Sequence, residues 1–254
     1  MSRDNDQMGS RSVRGLRMRA AAIGIVAVAV IGVGLYALHE HRQRSALLRA
    51  DPDRLLADPS LTGFADSRGR SAYARHCASC HGADLAGIVA RGSPNLKDSV
   101  WEYGFGELSD IENTILYGIR SGHPKSHNIA DMPAFGRIGQ LNDAEIKDVV
   151  EYVYSLSHRD ADATAARRGY ALFMDKGSCY DCHGADASGN IDYGAPDLTG
   201  KGWLYGGSRA VLYDSVYNGR HGLCPAWIGK LSYADIRALA VFIYDRSHRP
   251  EASR

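Results

Sequence analysis

The chain has 254 residues, of which 44% are hydrophobic and 28 are glycine, so it can form one large or two small domains and is too apolar for global disorder. Its 30 Lys and Arg residues nearly balance 29 Asp and Glu residues, and eight of the arginines lie within residues 1–50. The remainder is therefore slightly acidic, which argues against a nucleic-acid-binding protein. Five cysteines are too few for a disulfide-built scaffold of this length.

The first predicted element is a membrane-spanning helix. Residues 20–38 carry no charge, and as a helix they span roughly 28 Å, close to the bilayer core of about 30 Å. A cleavable signal peptide is the alternative, but its apolar region is usually about 7–15 residues long and ends in small residues, whereas this one ends in Leu38. We predict an N-terminal cytoplasmic tail at 1–19, a single transmembrane helix at 20–38 and a linker at 39–65.

The rest of the chain contains one sequence module twice. The motif Cys-x-x-Cys-His-Gly at residues 77–82 returns 102 positions later at residues 179–184. Farther on, Met132-Pro-Ala-Phe matches Cys224-Pro-Ala-Trp at an offset of 92 residues, so the second copy lacks about ten residues of a loop. The repeat predicts two domains of some ninety residues, at 66–158 and 163–248.

Each copy is expected to fold as short helices joined by glycine-rich loops, because apolar residues recur at helical spacing and no alternating run indicates a sheet. The first predicted helix of each copy lies just before its first Cys, around Gly69 and Gly169. The second runs from Ser109 to about Arg120 in one copy and over Ser208–Tyr217 in the other. The third begins at Asn142 in the first copy and, in the second, follows the apolar residues Ile236, Leu239, Ala240 and Ile243. Glu112 and Glu145 are placed to complete capping boxes. We therefore predict an all-α fold.

The repeated Cys and His residues indicate haem attachment. C-x-x-C alone fits a zinc half-site, a redox dithiol or a haem attachment site, and an immediately following His favours the last. Two thiols at this spacing can form thioethers with the two haem vinyl groups, which places the next residue under the iron. Neither module supplies four zinc ligands or a βαβ pattern. We predict two covalently bound haem c groups, attached through Cys77, Cys80, Cys179 and Cys182 with His81 and His183 beneath the irons.

Met132 is the candidate distal ligand of the first haem. Six-coordinate iron needs a ligand on its second face, and Met raises the reduction potential. Met132 lies fifty-one residues after His81 in a Met-Pro-Ala-Phe turn. A lone Met is usually core filler, but the proline and the loop setting argue against a helical core position. We therefore expect Met132 to bind the first haem iron.

At this point the sequence resembles the dihaem c-type subunit III of cbb3-type cytochrome c oxidases, the CcoP/FixP family. The resemblance covers nearly the whole chain, from the apolar helix through HCASCHGADLAG, SPNL, MPAFG, CYDCHGADASGN, GAPDLTGKGWLYGG and CPAW. It implies a single N-terminal transmembrane helix and two tandem class I-like cytochrome c domains. His81 and His183 would be proximal ligands, with their rings oriented by the carbonyls of Pro94 and Pro196.

The resemblance also implies an electron carrier that performs no bond chemistry alone. It would pass electrons from a soluble or membrane-bound donor cytochrome c to the haem–copper centre of the catalytic subunit. The implied partners are that catalytic subunit and a monohaem subunit of the same oxidase. The expected location is the inner membrane of a bacterium. The haem domains would lie in the periplasm, because c-type attachment takes place outside the cytoplasm.

One position departs from the family pattern. Where the second module of the family has Met before Pro-Ala-Trp, this chain has Cys224. Cys224 is either a thiolate ligand of the second haem or a small thiol that has lost ligation, with the iron left open or taken by His221. The alternatives from other classes are a thiosulfate-type dihaem sulfur-compound dehydrogenase with a Cys-ligated haem, and a haem-based redox or gas sensor.

Overall fold

The computed structural model describes residues 4–200 and 202–248, and within these ranges its regular secondary structure is helical, apart from isolated β-bridges. Its α-helices are α1 (Asp4–Arg49), α2 (Pro52–Leu55), α3 (Pro59–His76), α4 (Ala78–His81), α5 (Leu108–Tyr117), α6 (Asp143–Leu156), α7 (Ala163–Met174), α8 (Tyr180–His183), α9 (Arg209–Asn218) and α10 (Tyr233–His248). A short 3-10 turn lies at Val89–Arg91. The all-α prediction is confirmed.

The chain divides into two compact units between Arg49 and Ala50. The first is α1, whose portion Ala22–Arg49 is long and apolar enough to cross a membrane. Large apolar side chains along it are exposed, among them Ile25 at 71% and Leu35 at 64%. A helix with apolar side chains on its surface fits the predicted transmembrane helix.

The predicted linker at residues 39–65 is largely helical. α1 continues through Arg49, and α3 begins at Pro59. Asp58 accepts hydrogen bonds from the backbone N–H groups of Ser60 at 2.9 Å and Leu61 at 3.2 Å. Pro59 occupies the first helical position, where its missing N–H costs nothing. The helical conformation follows from the sequence, because Asp-Pro at this point is a helix start signal.

Capping sets the ends of the later helices. Asn142 and Glu145 form the predicted capping box of α6, with reciprocal bonds of 2.8 and 3.0 Å. The start and end predicted for α5 are wrong, since it begins at Leu108 and its predicted capping box is absent. It ends before Gly118, whose φ of +73° turns the chain out of the helix.

The helices of the second unit pack in two groups that exchange partners between the repeats. α6, the last helix of the first repeat, packs against α7 and α9 of the second. α10, the last helix of the second repeat, packs against α3 and α5 of the first. The expected domain boundaries at 66–158 and 163–248 follow the sequence repeat, whereas both packing groups cross them.

The short connection between α6 and α7 explains this exchange. Only six residues join Leu156 to Ala163, which favours an antiparallel helical hairpin. Arg168 of α7 also forms a two-bond ion pair with Asp148 of α6, at 2.7 and 2.6 Å. Pairing α6 with α3 would instead close a loop of 66 residues, at a larger entropic cost. Because the two repeats are similar, α10 then takes the corresponding place on α3.

The crossing of α3 and α10 depends on Gly69. A Cβ at this position would overlap the carbonyl oxygen of Ala238 in α10. We expect Gly69→Ala to lower the free energy of unfolding by about 1–3 kcal/mol, measured by urea denaturation of the haem-loaded protein. The control is Gly63→Ala in the same helix, where nothing lies within 4 Å and helix propensity predicts a gain of up to about 1 kcal/mol. Equal stability of Gly69→Ala and wild type would contradict the close crossing.

Candidate haem-binding centre

The two C-x-x-C-H motifs have the same local structure. Each ends a one-turn helix at its histidine, α4 at His81 and α8 at His183. The following Gly82 and Gly184 have φ values of +80° and +78°, a region that favours glycine, and they turn the chain away directly after the histidine. The second motif thus repeats the first in conformation as well as in sequence.

Each motif histidine is oriented by a backbone carbonyl, as predicted. His81 Nδ1 lies 3.2 Å from the Pro94 oxygen, and His183 Nδ1 lies 3.0 Å from the Pro196 oxygen. Burial lowers the pKa of both imidazoles, which favours the neutral form that binds metals. With Nδ1 turned to a carbonyl, Nε2 is the atom left to donate to iron.

Both histidines line one cavity of about 730 Å³, formed by residues of both repeats. Trp101 and Trp203 contribute to its largely apolar wall, and the four motif cysteines lie along it. An apolar cavity with a neutral imidazole beside each thiol pair suits haem c, which needs thioether attachment, an axial nitrogen and exclusion of water. The residues present therefore fit the cofactor implied by the motifs.

Met132 packs with α6 and α9, in the group that contains helices of the second repeat, and not with α3, α5 and α10. Its backbone forms a two-way bridge with Arg220, both N···O distances being 3.3 Å. Its side chain packs against the hydrophobic cluster that includes Val150 of α6 and Leu212 and Val216 of α9. The sequence pattern leads us to expect Met132 at the first haem, whereas the structure packs the Met132 segment against α9 of the second repeat, because the exchange of α6 carries this segment there.

Cys224, the counterpart of Met132 in the second repeat, lies beside the motif of the first repeat. Its backbone forms a bridge with Ile119, at 2.9 and 3.0 Å, just after α5. The ring of Trp227 lies 5.1 Å from that of His76, which immediately precedes the first motif. Burial raises the pKa of the Cys224 thiol to about 11, and the nearby Cys80 adds to that shift. Cys224 thus lies nearer the first C-x-x-C-H motif than its place in the second repeat suggests.

Reciprocal contacts relate the two repeats around the shared cavity. Gly92 of the first repeat leaves space for the ring of Tyr205, and Gly194, its counterpart 102 residues later, leaves space for the ring of Tyr103. Tyr103 also donates its hydroxyl to the Tyr193 carbonyl at 3.4 Å. Equivalent loops therefore hold the two candidate haem sites against each other within one compact unit.

His221, the alternative distal ligand, lines the same cavity, but one of its ring nitrogens already has a partner. Its Nδ1 lies 2.9 Å from Asp131 Oδ2, and its side chain is 60% exposed. Arg120 also forms an ion pair with Asp131 and donates to the carbonyls of Ala130 and Gly222. These contacts join the segment before Met132 to the segment before Cys224, so they position both distal candidates.

Glu102 is a residue of the cavity wall that the sequence analysis missed. Burial and the nearby Asp98 raise the pKa of its carboxyl to about 7. The signal that could have found it is its position in the repeat, where the second copy has Leu204.

Two family models match the chain. The model described as cytochrome c matches residues 67–157, and the model described as cytochrome C oxidase, cbb3-type, subunit III matches residues 164–243.

Several curated relatives are similar to the chain over most of its length. Subunit FixP of the cbb3-type oxidase of Bradyrhizobium sp. (strain ORS 278) is 43% identical over 204 residues, which cover 79% of this chain and 67% of the relative. Subunit CcoP of Cereibacter sphaeroides is 39% identical over 201 residues, covering 79% and 68%. Subunit CcoP of Azospirillum brasilense is 38% identical over 212 residues, covering 81% and 70%.

Proposed function

The chain belongs to the CcoP/FixP family of cbb3-type cytochrome c oxidase subunits, and on that premise we propose that it relays electrons from a donor cytochrome c to the haem–copper centre of such an oxidase. The observation that supports this most is the shared cavity, which both motif histidines line. Two haems held in one unit by reciprocal loops would form a short relay. The chain supplies attachment and ligands for this transfer and performs no bond chemistry alone.

The proposed cofactors are two haem c groups, each of which supplies an iron that cycles between the ferrous and ferric states. Cys77 and Cys80 would attach the first, and Cys179 and Cys182 the second. His81 and His183 would donate Nε2 to the two irons.

The distal ligands are proposed to be crossed between the repeats. Met132 would bind the iron above His183, because its segment packs on α9 of the second repeat. Cys224 would bind the iron above His81, because its segment bridges to Ile119 at the end of α5. Each haem would thus join both repeats, and its loss would loosen the whole unit rather than one domain.

The proposed location is the inner membrane of a bacterium, with α1 as a single-pass anchor and the haem-binding unit in the periplasm. Thioether attachment of haem outside the cytoplasm supports this orientation. The catalytic and monohaem subunits of the oxidase are the proposed partners, and the anchor would keep the relay close to them at high effective concentration.

Oxygen uptake by membranes containing the assembled oxidase tests this function. A chain with all four motif cysteines changed to serine should still be anchored but should reduce uptake driven by reduced cytochrome c at least tenfold. Uptake from an artificial donor that reduces the catalytic subunit directly should persist and serves as the control. Undiminished cytochrome-driven uptake in the haem-free variant would overturn the relay.

A further inference from the structure

Glu102 breaks the symmetry of the two repeats at the haem cavity. Residues 101–103, Trp-Glu-Tyr, correspond to residues 203–205, Trp-Leu-Tyr, at the same offset as the haem motifs. Both segments line the large cavity. The first repeat therefore places a carboxyl group where the second places an apolar side chain, Leu204.

Glu102 lies across a small cavity from the loop that orients the second proximal histidine. Together with Val100 and Trp101 it lines a smaller cavity of about 340 Å³, whose other wall is formed within residues 188–197 of the second repeat. That wall includes Pro196, whose carbonyl oxygen lies 3.0 Å from His183 Nδ1. Within the described ranges, neither a hydrogen bond nor an ion pair joins the Glu102 carboxyl to another residue.

The surroundings of Glu102 bring the pKa of its carboxyl group close to neutral pH. Burial, and then the neighbouring Asp98, raise its pKa to about 7. The adjacent Tyr103 is a neutral phenol, and Asp197, which lines the same small cavity, accepts from the Thr199 N–H at 2.7 Å and hydroxyl at 2.5 Å. In the part of the chain that the structure describes, no cation contributes to the shift, so small changes in nearby charge can move a proton on or off this carboxyl.

We infer that Glu102 takes up a proton from solvent when the haem above His183 is reduced and releases it when that haem is oxidised. The inference rests on the proposed haem sites. Ferric iron carries one more positive charge than ferrous iron and so favours the carboxylate, whereas ferrous iron favours the carboxylic acid. The electron comes from the donor cytochrome and the proton from water, so reduction of the second haem is coupled to protonation of Glu102.

A redox titration of the purified two-haem protein at several pH values tests this coupling. We expect reduction to strengthen proton binding at Glu102 about threefold to tenfold. The potential of the second haem should therefore fall as pH rises from about 6 to 8, and the fall over the whole titration should be about 59 mV if the factor is ten. The potential of the first haem should change less over this range, because Glu102 faces the loop of the second motif.

Two variants separate proton coupling from a structural role. Glu102→Gln should hold the second potential near the low-pH value of wild type across the whole range, because the amide imitates the protonated acid. Asp98→Asn should leave the coupling intact but move its window to lower pH, since removal of that charge lowers the pKa of Glu102. Glu102→Leu, which installs the residue of the second repeat, also removes the carboxyl group and should likewise abolish the pH dependence.

An unchanged pH dependence of the second potential in a Glu102→Gln protein that retains both haems would overturn the inference. If this variant fails to fold, an unshifted window in Asp98→Asn would overturn it instead. These are equilibrium measurements on the isolated protein and need no oxidase, so their failure is distinct from failure of the proposed relay.

Discussion

Replacing Met132 with alanine is expected to abolish the Met-to-iron charge-transfer band of the oxidised protein and to lower the potential of the second haem. Met is a soft, neutral donor that favours ferrous iron, so its loss leaves a site that favours ferric iron. The expected fall is on the order of 0.1 V or more, within the axial-ligand range of about 0.8 V. The haem attached to the first motif should keep its potential, because the Met132 segment packs on α9 of the second repeat.

The matched control is Met174→Leu. Met174 is the last residue of α7, close in sequence to the second motif, and it does not line the described haem cavity. This variant should retain the band and both potentials. A Met132→Ala protein with both haems and an unchanged band would return Met132 to the role of a packing residue.

Replacing Cys224 with methionine is expected to raise the potential of the first haem by a few tenths of a volt, on the scale of the axial-ligand range of about 0.8 V. Burial keeps the free thiol protonated, since its pKa is raised to about 11, but a metal can deprotonate a coordinating thiol outright. A thiolate is anionic and stabilises ferric iron, whereas methionine does not. The second haem should be unaffected.

Electron paramagnetic resonance of the oxidised wild type checks the same ligand without mutation. Thiolate ligation predicts a narrow low-spin rhombic signal from the first haem, which Cys224→Met should remove. His221→Ala is the control and should leave this signal intact, because His221 pairs with Asp131 and is mostly exposed. High-spin iron at the first haem, with binding of carbon monoxide in the reduced state, would instead indicate an open distal site.

The crossed ligands change the expected direction of electron flow. A thiolate on the first haem and a methionine on the second give the first haem the lower potential, so transfer from the first motif to the second is downhill. Assigning Cys224 to the second haem, as the sequence order suggests, would make the same step uphill. With the proposed crossed ligands, the exchange of helices would decide which haem is the stronger reductant.

The sequence was sufficient for the local features of the site. The apolar spacing and the repeat predicted a helix just before each motif, and α3 (Pro59–His76) and α7 (Ala163–Met174) confirm both. The resemblance predicted carbonyl partners for the rings of His81 and His183, which the structure also confirms. The equivalence of Met132 and Cys224 in the repeat also holds, since each forms a backbone bridge just after the corresponding helix, α9 or α5. These features depend on residues close together in the chain.

The sequence pattern could not predict which helices of the two repeats pack together, because two similar halves can pack in two ways. Each repeat's last helix carries the same apolar stripe, so periodicity alone does not choose its partner. The choice follows from chain connectivity: the six-residue link from Leu156 to Ala163 makes the α6–α7 hairpin local. To predict a long-range exchange of this kind, one must compare the free energies of two complete folds.

The central claim, that the distal ligands cross between the repeats, is tested most directly with proteins that carry one haem each. The changes Cys77→Ser and Cys80→Ser leave only the second haem, and Cys179→Ser and Cys182→Ser leave only the first. The oxidised near-infrared spectrum should show the Met-to-iron band in the protein that keeps the second haem, and Met132→Ala should remove it there. A Met132-dependent band in the protein that keeps only the first haem would contradict the crossed arrangement.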